Sequence, residues 1–147
     1  MILLVGYGNV MRSDDAAGIY LAKRIAKEND PHVKTILTQQ LNVELLEDAV
    51  KYENVIFVDA SQKEEEVSFK KVEPKPQGQM VSSHHLSPEL FLELARTIYN
   101  VNLNLHVCSI RGENFELGDV LSKKTRERSE KAFNIIRNFI HKELTYA

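Results

Sequence analysis

Two adjacent carboxylates, Asp14 and Asp15, lie in VGYGNVMRSDDAAG (5–18), after the apolar run Met1 to Val5 and the turn Gly6-Tyr7-Gly8. A buried strand opening onto a glycine turn before a helix is the setting of a phosphate-cradling loop. Such a loop next wants a third glycine and a helix start free of negative charge. Met11 and the aspartate pair stand there instead. A third carboxylate, Asp59, follows a second apolar run in NVIFVDAS (54–61), and His84 and His85 sit together in SSHHL (82–86). Carboxylates from two strand ends, joined by an imidazole, form a donor set for a divalent transition metal. Mixed oxygen and nitrogen ligands suit nickel or zinc better than calcium, and three ligands leave a position open for a substrate donor.

Each residue also has an ordinary explanation. Aspartates in a first helical turn complement the helix dipole. An aspartate ending a strand caps a turn through its own side chain. What favours a site is convergence, because ligands of an open parallel sheet gather beyond the carboxyl ends of its strands. Pattern does not choose between Asp14 and Asp15. Nor does it choose between His84 and His85, since neighbours on an extended segment face opposite ways.

The elements that must position these groups alternate between strand and helix periods, which predicts an α/β fold with a mostly parallel sheet. Residues 1–6 read as a fully buried first strand. Ser13 is the expected N-cap of a helix reaching about Glu28, with Ile19, Ala22, Ile25 and Ala26 on one face. Val33 to Thr38 gives a second strand. Asn42 is the expected cap of VELLEDAVKY, whose Val43, Leu46 and Val50 recur at helical spacing, and Val55 to Val58 forms a third strand with Asp59 directly after it. Lys63 to Glu66 reads as a solvated loop. An edge strand carrying Val67, Phe69 and Val72 then ends at Pro74, Pro76 and Gly78. Ser87 and Pro88 begin a further helix, LNLHVCSI makes a last strand, and SKKTRERSEKAFNIIRNFIHKEL is a long amphipathic helix.

A chain of 147 residues without repeats or linkers is expected to be one domain, 1–147. With a net charge of −2 it has no general reason to bind nucleic acid or an anionic membrane. Its first apolar run is too short for a signal peptide, and no stretch approaches the roughly 20 apolar residues of a membrane span. A single cysteine, Cys108, suits a reducing cytoplasm. Cys108 lies in a strand pattern without a basic neighbour, so a buried core role is expected rather than a nucleophile. Ser82 and Ser83 lack the Gly-x-Ser-x-Gly setting of a hydrolase serine. His32, His106 and His141 read as structural or surface residues.

Five blocks, GYGNVMRSDDAAG, QLNVELLEDA, NVIFVDAS, SSHHLSPELFLELARTIYN and FELGDVLS, together resemble the hydrogenase maturation proteases over about residues 2 to 122. That resemblance implies a three-layer α/β/α sandwich around a mostly parallel twisted sheet of about five strands. It implies an endopeptidase, grouped with the aspartic type, that trims the C-terminal extension of a nickel-iron hydrogenase large-subunit precursor. By position, the metal set falls on Asp15, Asp59 and His84, with Asp15 and Asp59 also catalytic. Nickel is then carried by the substrate and inspected before cutting. Either a carboxylate acting as general base toward water or polarisation by nickel would drive the chemistry. The chain departs from the pattern at Ala16, often glycine, and at Gln39-Gln40-Leu41-Asn42, where many members place a glycine turn. A non-cleaving, nickel-sensing chaperone of the precursor is the alternative. A nucleotide-binding enzyme is disfavoured by the missing glycine and the acidic pair.

Overall fold

The structure is a computed structural model, and it describes residues 1–74 and 86–145. Five strands form one sheet: β1 (Ile2–Tyr7), β2 (Val33–Thr38), β3 (Asn54–Ser61), β4 (Val67–Lys71) and β5 (Asn104–Arg111). Four helices accompany them: α1 (Ala17–Lys27), α2 (Leu45–Ala49), α3 (Pro88–Tyr99) and α4 (Lys123–Thr145). The sheet order is β2-β1-β3-β5-β4, parallel throughout except for β4, which runs antiparallel at the edge as its half-exposed alternation predicts. The chain leaves β1 toward β2 on one side and returns to β3 on the other. The β1/β3 boundary is therefore the topological switch point, where an open sheet offers a crevice.

Each face of the sheet is covered by helices, which makes the three-layer α/β/α sandwich. On one face Leu3, Val5, Val55, Phe57 and Leu105 pack against Leu46 of α2 and Phe91 of α3. On the other, Ile2, Leu4, Ile56, Val58 and Cys108 meet Leu21 of α1 and Ile136 of α4. Burial on both sides explains why the central strands read as unbroken apolar runs. The α1 face admits a close approach, because a Cβ at Gly18 would strike the Val58 carbonyl. No helix among the described residues is long and apolar enough to cross a membrane.

Several local expectations are corrected. The ladder between β3 and β5 continues to Ser61↔Arg111, so Asp59 stands inside β3 opposite Ser109 rather than after the strand. Ser13 does not cap α1: it opens a 3₁₀ turn, Ser13–Ala16, at φ 51°, and its hydroxyl donates to the Glu116 carbonyl at 2.8 Å. Tertiary bonding has captured the hydroxyl that local pattern assigned to the helix. Ala26 is exposed, since the stripe facing the sheet runs through Leu21, Ala22 and Ile25. The helix α2 is only five residues long, and Asn42 does not cap it with its side chain. Val43 lies outside that helix and is 59% exposed. Val72 lies just beyond β4 yet is buried, its N–H donating to the Leu105 carbonyl at 2.8 Å. By contrast, Ser87 caps α3 as expected, accepting from the Leu90 N–H at 3.1 Å with Pro88 in the first turn.

Candidate active site

The turn after β1 is shaped by Gly8, whose φ of +151° and whose missing Cβ allow the Asp15 backbone to cross directly over it. The turn then folds back, and the Asn9 N–H donates to Asp15 Oδ2 at 2.7 Å. This leaves Asp15 half-buried at the carboxyl end of β1. Its neighbour Asp14 points the other way. Asp14 is fully buried and accepts from the N–H groups of Glu113, Asn114 and Ser122 at 2.8, 2.9 and 2.7 Å and from the Ser122 hydroxyl at 2.8 Å. Burial opposes its ionisation, but the bonds from Ser122, Glu113 and Asn114 outweigh that and hold its carboxyl at about 2. Four donors engage both Asp14 oxygens, which makes it a structural anion, whereas Asp15 accepts from the Asn9 N–H at the carboxyl end of β1.

One strand away, Asp59 projects from β3 at the same edge. The Ser109 hydroxyl donates to Oδ1 at 2.9 Å and the Tyr7 phenol to Oδ2 at 3.3 Å. Burial raises the Asp59 carboxyl above the usual carboxylate range. The bonds from Ser109 and Tyr7 and the Lys63 ammonium pull it down, while the negative charge of Asp15 pushes it up again. Burial beside that carboxylate also raises Tyr7, so the phenol stays a donor. Asp59 opens onto a cleft of about 510 Å³ lined by Lys63, Lys70, Pro88, Glu89 and Ser109, among others.

The structure thus brings Asp15 and Asp59 to the β1/β3 switch point. His84 and His85 lie outside the described residues, as do Ser82 and Ser83. No group of three metal-ligating side chains occurs among the described residues. The donor chemistry of the carboxylate pair nonetheless fits a divalent ion. Asp15 and Asp59 repel one another's charge, and a cation between two such groups relieves both. Cys108 is buried, with its thiol pushed up to about 12 by burial and by Asp59, which agrees with a core role. His106 stacks on Phe69 at 5.0 Å and meets the tilted ring of Phe139 at 4.7 Å, also a packing role.

Sequence reasoning missed Tyr7, Ser109 and Lys63. The signal for the first two is sheet register, which sets Tyr7 at the end of the strand beside β3 and Ser109 opposite Asp59. Register is not written in either strand alone.

A doubly wound α/β sandwich with paired carboxylates at its switch point is thus the class defined by fold and geometry. Among solved structures, this chain has the fold of the hydrogenase maturation proteases. It is similar to the hydrogenase maturating endopeptidase HybD from E. coli, with 21% identity, TM-score 0.78, and 97% of this chain and 93% of that one covered. The [NiFe] hydrogenase maturation protease HycI from Thermococcus kodakarensis KOD1 shares 25% identity at TM-score 0.70, over 92% of this chain and 88% of that one. The HybD protein of Thermococcus kodakarensis shares 21% identity at TM-score 0.67, over 94% and 97%. No protein-family profile matches the chain, and no curated protein matches it.

Proposed function

We propose that this protein is an endopeptidase of hydrogenase maturation, cutting the C-terminal extension from a nickel-loaded large-subunit precursor. The observation that carries this is the meeting of Asp15 and Asp59 at the switch point of a fold shared with proteins named as such endopeptidases. In this reading Asp15, Asp59 and His84 meet the nickel that arrives with the substrate, so nickel is cargo under inspection rather than a resident cofactor. When bound, the metal supplies Lewis acidity at the scissile region. The chain's own contribution is a carboxylate whose affinity for protons is raised, which makes Asp59 a better general base toward water than an exposed aspartate. Ser109 and Tyr7 hold its two oxygens in place while the proton is accepted and passed to the leaving amine. The lone buried Cys108 is consistent with work in a reducing cytoplasm.

Intact-mass spectrometry of a candidate precursor, incubated with this protein with and without nickel loading, tests the reading. Loss of a C-terminal peptide only from the loaded precursor is the expected result. Binding of a loaded, competent precursor without mass loss would replace it with a nickel-sensing chaperone.

A further inference from the structure

Outside the carboxylate pair, two loops that are distant in sequence are locked together beside Asp15. One is the turn 9–14 and the other is the segment 112–122 that follows β5. The Gly118 N–H donates to the Met11 carbonyl at 2.9 Å, and the Ser13 N–H donates to the Gly118 carbonyl at 2.8 Å. Arg12 Nε donates to the Phe115 carbonyl at 3.1 Å, and Asp14 collects the four bonds already described. A Cβ at Gly118 would crowd the Ser13 hydroxyl at 2.7 Å, so the closeness of the loops depends on glycine.

These anchored loops hold apolar side chains in water. Leu117 is 86% exposed, Val120 69%, Met11 60% and Val10 50%. A mobile loop could fold such side chains away; here the backbone bonds hold the segments in place. Rigid, clustered apolar exposure marks an interaction surface. Its charge is mixed, with carboxylates in excess: the exposed Arg12 donates to the Phe115 carbonyl and has no ion-pair partner among the described residues. Glu113 in the same loop is paired with Arg111, Lys124 and Arg128, whereas Glu116 and Asp119, flanking Leu117, have no ion-pair partner among the described residues.

We infer that the loop pair 9–14 and 112–122 is the docking face for the substrate protein, receiving an apolar surface patch edged by lysine or arginine. This rests on the proposed endopeptidase reading. Asp15 closes the turn 9–14, its N–H donating to the Arg12 carbonyl at 3.1 Å, so the exposed Met11 and the carboxylate belong to one turn. Glu116 and Asp119 outnumber Arg12 in setting the sign of the charge at its rim. Asp14 anchors this face.

The test is steady-state processing of nickel-loaded precursor by the full chain. Two surface double variants are compared with wild type: Met11→Ser/Leu117→Ser and Glu116→Lys/Asp119→Lys. Both pairs are exposed, so unchanged thermal melts are expected. The inference predicts a KM raised about tenfold or more with kcat within about twofold. The charge-reversal pair should also show a weaker dependence of KM on salt. Wild-type processing with unchanged KM in both variants overturns the docking face alone. Failure of the wild-type protein to trim a loaded, competent precursor overturns the endopeptidase reading, and the docking face with it. A concentration-dependent dimer of the free protein, lost in Met11→Ser/Leu117→Ser, would assign the face to a second copy of the chain and overturn the inference.

Discussion

Asp14 and Asp15 are chemically identical neighbours with opposite fates, and their substitutions should separate cleanly. Asp14→Ala strands three backbone donors and a hydroxyl in a buried position, so a loss on the order of 3 kcal/mol is expected, read by chemical denaturation. Because the folded carboxyl of Asp14 is held at about 2 against an ordinary 3.8, its contribution is complete above pH 3.8. It disappears as pH falls from there through 2. The stability gap between wild type and Asp14→Asn should therefore narrow over that window. Asp59 has the reverse sign. Its raised carboxyl makes ionisation costly in the fold, so Asp59→Asn should be at least as stable as wild type at pH 7, an advantage that fades on acidification. The same variant, and Asp15→Asn, should lose processing by on the order of a hundredfold or more while keeping native circular dichroism. A variant that is folded and fully active would remove that carboxylate from the proposed chemistry.

At the scale of elements, the edge of the sheet has its own pH sensitivity. His106 of β5 stacks on Phe69 of β4 and meets the tilted ring of Phe139 of α4, and its Nδ1 is buried without a hydrogen-bond partner among the described residues. Burial lowers its affinity for protons, Lys71 of β4 adds to that, and Glu143 of α4 opposes it. A histidine kept neutral by the fold contributes stability above its ordinary 6.5, lost as pH falls through that value toward the lowered one. Wild type should thus lose stability on acidification from pH 7 to 5 in a way that His106→Phe does not, as thermal melts across that range would show. Much of this layer was legible beforehand. Strands, order of elements and the Ser87 cap follow from period and capping chemistry, because those signals are local. The ends of β3 and the start of α1 depart from the local pattern because partners from far along the chain decide them: β5 extends the ladder past Asp59, and the Glu116 carbonyl takes the Ser13 hydroxyl.

Over the whole molecule, the sheet is closed on one face by α1 and α4, and the last helix is integral rather than an appendage. Ala132 and Ile136 of α4 are fully buried against the core. Ile136→Ala should therefore cost about 2–5 kcal/mol, measured by denaturation, while leaving processing intact below the melting range. Sequence by itself determined the layered α/β class, since apolar runs buried on both faces and alternating periods admit few other arrangements. It also supplied Asp14, Asp15 and Asp59 as candidates, because the aspartate pair follows the turn after the first apolar run and Asp59 follows the apolar run Val55 to Val58; the family resemblance pointed to Asp15 within the pair. Only the tertiary structure separated Asp14 from Asp15, brought Tyr7 and Ser109 to Asp59, and zipped residues 9–14 to 112–122 beside them. The physical reason is range. Periodicity and capping act within a few residues. Which carboxylate is consumed by hydrogen bonds, and which is left facing the crevice, depends on donors about a hundred residues away.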